Sequence, residues 1–546
     1  MTQRECIHCW LIRAESIRPD APAVITVNQG APDSIMSFRQ VTHAAAVMAA
    51  SLRRLGARRN DRIILSLPND FQFLVALCAI SQLGAVAVPA PVPDSVSTER
   101  FELRLRAIVD ACTPSIVVTR DAYRDAFFLL DERRIQVAAV ETLSLDVHEP
   151  LALPRCSGDT RIIQFTSGST NSPKGVVLTG TMMAAACQQA IGAYGDRTSD
   201  VAVTWVPLYH DMGLVTGVLR PLYSMYTAVL LTPRHFISQP IEWLRAIHRR
   251  RGTLISAPNF AYDFCTAKVP KTPPDQLDLS SLRVARNAGE PISAKTCSDF
   301  QSRFAENNLR KGAMAPSYGL AEATLTVSAT SAGCAPIHLL LDRQSIRNGV
   351  LKPAEPGDPQ PFSVMSSGAP VAGCKVRIER NKTVGRIVIS GPQLARKYWG
   401  KRVRLSKWFK TGDIGFIEQN QLFVLGRIDE TIVWRGENYF SSDFVEACRS
   451  VPGLRKGKAF AFLDSDSGSL TVVSEVSNSG DHNSLEGLRR DLVRKIVERV
   501  GVAAHVTLVA SGSLPVTTSG KVQVLAARRR LQSGKLEVVP KITSND

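Results

Sequence analysis

The chain is short of acid. Its 546 residues hold 49 Asp and Glu against 66 Lys and Arg, a formal charge of +17 at pH 7. An excess of base does not choose a fold, but it favours acidic partners: nucleotides, anionic lipid or an acidic protein. Nucleic acid fits worst among such partners, because no stretch interleaves the basic residues with aromatics as a binding groove requires. An apolar leader is missing too. Arg4, Glu5, Arg13 and Glu15 break residues 1–20, which excludes the uninterrupted run of a secretory signal. A second cysteine pair is also absent. Cys6 and Cys9 make a CxxC around His8, but no partner pair follows at zinc-site spacing, and such a site needs about four ligands. The eleven cysteines are scattered and odd in number, as in a reduced, cytoplasmic chain. The CxxC therefore reads as two incidental thiols near a frayed terminus. Residues 71–93 carry no charge and are long enough to span a bilayer. Yet Gln72, Ser81, Gln82 and Gly84 interrupt them, and Pro89, Pro91 and Pro93 end them. A buried helix over 71–83 and a buried strand over 85–88 explain the run better than a membrane span. Internal repeats and low-complexity tracts are lacking as well.

What is present is the composition of a globular protein, 44% apolar and 21% charged, at a length that calls for two or more domains. Buried-strand patterns at 116–119, 161–167, 201–207, 228–232 and 253–257 alternate with helical patterns at 181–194 and 241–250. That alternation predicts α/β layers with largely parallel sheets. From about residue 360 the pattern turns strand-rich, at 376–380, 386–390 and 422–426, which suggests a β-barrel-like piece. A last stretch alternates again, with strands at 458–463, 471–476 and 505–509 and a helix at 485–500. It reads as a small separate α/β domain. The residues after Leu536 read as a loose polar tail.

One segment concentrates hydroxyl and glycine residues, FTSGSTNSPKGV at 165–176. Thr166, Ser167, Gly168, Ser169 and Thr170 can offer backbone N–H and hydroxyl donors to phosphate oxygens, and Lys174 adds a positive charge. The spacing is not that of a GxxxxGK[ST] phosphate loop. Taken alone, the segment is equally a Ser/Gly-rich surface loop.

It is followed in order by YGLAEATL (318–325), KYWG (397–400), WFKTGDIG (408–415), GRIDETIVWRGENY (426–439) and LPVTTSGKV (514–522). With these motifs the chain closely resembles the adenylate-forming superfamily, whose members activate carboxylates with ATP. The resemblance implies a large N-terminal adenylation region, 1–426, made of two α/β sheets with helices and a barrel-like subdomain. It implies a small mobile α/β domain at 430–546, with Asp429 at the hinge. It also implies roles for residues. The hydroxyl-rich loop and Lys174 would hold the β- and γ-phosphates, and Glu322 would hold Mg²⁺. Tyr318 would stack on adenine beside Gly319, with Gly289 and Glu290 on the adenine side. Asp413 would bind ribose, Arg427 ribose or phosphate, and Lys521 would bridge the substrate carboxylate and the nucleotide. These types suit the chemistry, since two anions must meet while charge builds on phosphoryl oxygens.

Within the superfamily, TWVPLYHDMGLVTGVLRPLY (204–223), SAPNFAYDFC (256–265) and LDLSSLRVARNAGEPIS (277–293) resemble fatty acyl-AMP ligases, with His210 bordering the carboxylate site. HLLLDRQSIRNGVLKPAEPGDPQ (338–360) is similar to the insertion that separates these ligases from acyl-CoA synthetases. The resemblance implies that a fatty acid is adenylated with release of pyrophosphate. The acyl group then passes to the phosphopantetheine thiol of a separate, typically acidic, holo acyl carrier protein. The basic run from Lys521 to Lys535 reads as a carrier-docking patch or as a solvated helix. Other readings stay open: a fatty acyl-CoA synthetase, a catalytically silent nucleotide-binding homologue, and an enzyme for an aryl- or amino-acid substrate, although the pocket segments show no obvious acidic partner for an α-amino group. Asn171 stands where the family loop has glycine, and LTGTMM (178–183) lacks the usual histidine.

Overall fold

The computed structural model describes residues 6–95, 98–133, 135–143, 161–166, 173–270, 276–379, 383–401, 406–434, 437–464, 468–477, 485–516 and 521–539. Two mixed sheets carry the N-terminal part. The first has six strands in the order Gln136–Ala139, Ile116–Thr119, Arg62–Leu65, Val86–Pro89, Arg161–Thr166, Lys174–Thr179. All its pairs are parallel except the last, an antiparallel pair that sets Thr166 opposite Lys174. The second has nine strands, from Ala369–Pro370 at one edge through Leu325–Ala329, Met314–Leu320, Val284–Asn287, Leu254–Ala257, Val201–Thr204, Thr227–Leu230 and Pro22–Thr26 to Ser34–Ser37. Its centre is parallel and its edges antiparallel. The inner strands are buried along their length, which is why they read as continuous apolar runs rather than alternating ones.

Helices start where short polar side chains satisfy free N–H groups. Asp70 accepts from Gln72 at the start of Phe71–Gln82, and Thr179 caps Gly180–Tyr194, which ends at Gly195 in the left-handed region (φ +62°). The uncharged run of 71–93 is thus a buried helix followed by the buried strand Val86–Pro89. Among the described residues no helix is long and apolar enough to cross a membrane. The CxxC does not sit in a frayed end. Cys6 is buried, and its sulfur caps the helix Ile7–Ile17 by accepting from the Cys9 N–H.

The strand-rich stretch forms an antiparallel four-stranded sheet, Lys375–Ile378, Gly385–Ser390, Phe409–Glu418 and Gln421–Arg427. The segment 338–365 adds the antiparallel ribbon His338–Leu341 with Phe362–Met365 and the helix Arg343–Arg347, packed on Phe416, Phe423 and Phe440. Beyond it, Leu454–Leu463, Leu470–Val476 and His505–Val509 make a three-stranded sheet against the helices Ser441–Arg449 and Leu485–Val500. Phe444, Val472, Leu492, Ile496 and Leu508 give this part its own apolar cluster. The expected loose tail is fastened as far as Val539: Glu537 accepts from Ala510 and Val539 donates to Leu508.

Candidate active site

The strand Met314–Leu320 leads into a single 3₁₀ turn, Ala321–Ala323, at the motif YGLAEATL. Gly319 is required there, because a Cβ would stand 1.6 Å from the Leu325 carbonyl oxygen. The turn delivers Glu322, whose Oε1 accepts from the Tyr398 hydroxyl at 2.7 Å. Burial and then the adjacent Glu322 charge push the Tyr398 phenol upward, so it stays a donor. The Lys174 ammonium lies 5.8 Å from the centre of the same Tyr398 ring. Trp399 N–H donates to the Gly175 carbonyl at 2.7 Å and fixes KYWG against the strand that carries Lys174. Lys174 and Glu322 therefore meet across one tyrosine. Thr166 Oγ1 reaches the Lys174 carbonyl at 3.5 Å. Ser167, Gly168, Ser169, Thr170 and Asn171 lie outside the described residues.

On the same strand Tyr318 is 8% exposed, and its hydroxyl donates to Asp413 Oδ2 at 2.5 Å. Its ring packs in the cluster with Ala323 and Val327, so the face expected to stack on a base is mostly covered here. Burial and Asp413 raise the Tyr318 phenol well above its ordinary value. Asp413 is the direct antiparallel partner of Arg427, and Arg427 Nε lies 3.5 Å from both Asp413 Oδ1 and Asp429 Oδ1. Burial opposes the Arg427 charge, but Asp413, Asp429 and Glu430 outweigh it and raise its value. Gly412 lets the guanidinium lie close, since a Cβ would meet Arg427 Nη2 at 2.6 Å.

The third group is the PLYHDMG turn. His210 opens the helix Asp211–Leu214, and Gly213 allows the turn to close, because a Cβ would stand 2.1 Å from the Pro207 carbonyl oxygen. His210 Nδ1 lies 2.7 Å from Asp211 Oδ1, which also accepts from the Met212 N–H at 2.7 Å. At that separation His210 Nδ1–H is the donor. Burial works to raise the Asp211 carboxyl, but His210, the Met212 N–H and Lys521 hold it below the usual carboxylate range. Gly289, at φ +95°, faces this turn. A Cβ on it would lie 3.2 Å from Met212 Cε, 3.9 Å from Lys521 Cε and 4.0 Å from Lys521 Nζ. Lys521 also acts electrostatically on Glu430, whose carboxyl burial and Asp429 push up. Glu430 in turn feels Arg427 and Asp413, so the Asp413 group and the Lys521 group adjoin. Glu290, next along from Gly289, keeps Oε1 buried without a hydrogen-bond partner.

Lys174, Gly289, Glu290, Tyr318, Gly319, Glu322, Asp413, Arg427, His210 and Lys521 are thus drawn into three adjoining groups from six parts of the chain. Reading the sequence missed Tyr398 and Asp211, although both sit inside quoted motifs. It also missed Arg104. That guanidinium has Nε buried with no hydrogen-bond partner, and burial lowers its value, with Tyr209 partly offsetting the effect. No motif singles out Arg104. A cavity of about 770 Å³ lined by Arg54, Phe127, Phe128 and Val137 contains none of these residues.

Mg²⁺ fits the Glu322 position. Apart from the Tyr398 hydroxyl on Oε1, this carboxylate has no protein hydrogen bond among the described residues. Mg²⁺ commonly takes one or two carboxylates and completes its shell with water and substrate phosphates. No cluster of three or more His, Cys, Asp or Glu competes for it among the described residues.

Comparison with known proteins follows the same lines. Residues 13–399 match the family described as AMP-binding enzyme. The chain is similar to medium-chain-fatty-acid–[acyl-carrier-protein] ligase JamA of Moorena producens, at 34% identity over 540 residues, covering 92% of this chain and 90% of that one. It is 31% identical over 551 residues to 4-hydroxyphenylalkanoate adenylyltransferase of Mycobacterium marinum, covering 93% and 87%. Among solved structures it is similar to one from a study of fatty acyl-adenylate ligases of E. coli and L. pneumophila, with TM-score 0.90, 27% identity, and 97% and 98% of the two chains covered.

Proposed function

The chain belongs to the AMP-binding enzyme family, and from that premise we propose how it acts as a fatty acyl-AMP ligase. The enzyme joins a fatty acid to ATP, releases pyrophosphate and passes the acyl group to the phosphopantetheine thiol of a carrier protein supplied in trans. Residues 1–426 form the adenylation part and 430–546 a smaller part that moves about Asp429. The enzyme works in the cytoplasm.

Asp413 accepts from the ribose hydroxyls, and Tyr318 and Gly319 border the adenine together with Gly289 and Glu290. Lys174 and the hydroxyl-rich segment 166–170 hold the outer phosphates. When bound, Mg²⁺ held by Glu322 neutralises charge on the phosphates. His210 and the turn after it border the fatty-acid carboxylate. Lys521 lies between that carboxylate and the α-phosphate, where negative charge builds on the phosphoryl oxygens as the new bond forms. A charge fixed in advance at that point lowers the barrier without reorganisation. Arg427 adds a second positive charge on the nucleotide side.

The observation that carries this reading is the place of Lys521: a residue from the far end of the chain has its Nζ 4.0 Å from where a Cβ on Gly289 would stand, and it acts on Asp211 and Glu430. A surface lysine in a Ser/Gly-rich loop would not be drawn there. The test is incubation with ATP, Mg²⁺ and a saturated fatty acid, offering CoA or a holo acyl carrier protein. Acyl-adenylate followed by acyl-carrier product supports the reading. Acyl-CoA as the main product assigns the chain to the synthetase branch instead.

A further inference from the structure

Asp263 lies on the helix Asn259–Lys268, and Arg449 ends the helix Ser441–Arg449. Their side chains, each 9% exposed, form an ion pair between elements 186 residues apart. Thr296 Oγ1 donates to Asp263 Oδ1 at 2.8 Å and orients it. Arg449 Nε lies 3.2 Å from Glu446 Oε1, and Ser293 Oγ donates to the other Glu446 oxygen at 3.4 Å. Lys458, on the strand Leu454–Leu463, sits 5.8 Å from the centre of the Phe260 ring, on the same helix as Asp263. Glu290, with its buried and unbonded Oε1, acts electrostatically on both Arg449 and Lys458. Asp263 and Glu290 on one side therefore face Arg449 and Lys458 on the other, where Glu446 also sits beside Arg449 on its own helix.

The helix Ser441–Arg449 is also gripped near its start. Arg343 meets Asp443 at 2.9 Å, and Arg347 meets Glu437 at 3.5 Å. Those arginines have further partners: Arg343 also donates to the Gln360 and Pro361 carbonyls, and Arg347 to the Val500 carbonyl. The Asp263 cluster is different, because it holds charge in a dry place with one carboxylate oxygen left over. Removing one partner from such a pair strands the other, but carrying both faces into water restores their hydration. Physically, that describes a contact stable when closed and tolerable when fully open, with little in between. Burial opposes the Arg449 charge, but Glu446, Asp263 and Glu290 outweigh it and raise its value, so Arg449 stays charged while the contact is closed.

We propose that the Asp263–Arg449–Glu446 cluster, flanked by Glu290 and Lys458, is a latch that holds the segment after Asp429 in the pose that brings Lys521 to Gly289. The proposal rests on the two-step reading above, in which that segment must be docked for adenylation and must move for acyl transfer. Asp263 and Arg449 are positioning residues: neither adjoins the reacting atoms, and both act by keeping Lys521 in place.

The two half-reactions separate the latch from a general structural role. Adenylation is followed by exchange of pyrophosphate into ATP with a saturated medium-length fatty acid. Transfer is followed in a single turnover from synthetic acyl-adenylate to pantetheine as thiol probe. For Asp263→Asn the exchange kcat falls about tenfold or more, with KM for ATP and fatty acid nearly unchanged, since only the docked population shrinks. Transfer to pantetheine stays equal or rises. Arg449→Gln, which removes the charge, lowers the exchange in the same way and decides the matter if Asp263→Asn does not fold, whereas Arg449→Lys, which keeps the charge, retains most of the exchange rate. Unchanged exchange in an Asp263→Asn or Arg449→Gln variant that melts like the wild type overturns the latch, as does an equal fall in both half-reactions. If the wild type itself supports no exchange with any fatty acid, the enzymatic reading fails instead, so the two failures are told apart.

Discussion

Tyr398 connects Glu322 to Lys174 through one hydroxyl and one ring face. A hydrogen bond to a charged group contributes about 1.5–3 kcal/mol. Tyr398→Phe keeps the ring and removes the bond, so adenylation falls about tenfold and the Mg²⁺ concentration for half-maximal rate rises. Melting is little changed, because Glu322 is only part-buried. A Mg²⁺ titration of pyrophosphate release checks this. Gly319 makes a harder demand. Its missing Cβ would collide with the backbone oxygen of Leu325, which cannot yield as a flexible side chain does. Gly319→Ala therefore destabilises by about 3 kcal/mol or more, read as a lowered melting temperature together with lost activity.

Lys458 raises the question of pH for the element that carries it. Burial lowers its value from 10.5 to about 8, assisted by Arg455 and Arg449 and opposed by Glu475 and Glu290. A base with a lowered folded value costs stability while it is charged in both states, below about pH 8. The cost fades as pH rises from 8 toward 10.5, where the folded chain has released a proton that the unfolded chain still holds. Lys458→Met removes the charged amine, so the variant melts higher than the wild type near pH 7 and the two curves converge toward pH 10. A gap that widens with pH contradicts this account.

The elements themselves were largely legible in the sequence. The inner strands 116–119, 161–166 and 254–257 lie between two covered faces, and full burial leaves an apolar run visible without any partner. The strand Met314–Leu320 and the long strand Phe409–Glu418 escaped, because tyrosine, glycine, lysine and aspartate within them serve the site rather than a core. Their pairing is decided by residues far away in the chain. The same reason hid Tyr398–Glu322 and Asp263–Arg449: charge pairing across long sequence separations leaves no periodic trace. Motifs single out Lys521 and Asp413, but only the fold reveals that Asp211 and Glu430 feel the charge of Lys521.

At the scale of the whole molecule, the charge of +17 acts on partners rather than on the fold. Arg528, Arg529 and Arg530, on the helix Val524–Gln532, follow closely after Lys521. On the proposed reading an acidic carrier protein approaches that helix, is steered by the field, and loses that steering as salt screens it. The KM for a holo carrier therefore rises with ionic strength, while transfer to uncharged pantetheine changes little. Arg528→Glu combined with Arg530→Glu reproduces the high-salt behaviour at low salt. A carrier KM indifferent to both changes places the docking surface elsewhere.

The most direct measurement of the central claim is pyrophosphate release from ATP with a panel of fatty acids, comparing wild type with Lys521→Ala. A lysine acting where charge develops is worth far more in the transition state than in the bound ground state. The account predicts rapid release and detectable acyl-adenylate for the wild type. For the variant it predicts a kcat lowered about a hundredfold or more, with ATP still bound. Equal rates in the two proteins, with acyl-adenylate formed by both, contradict it.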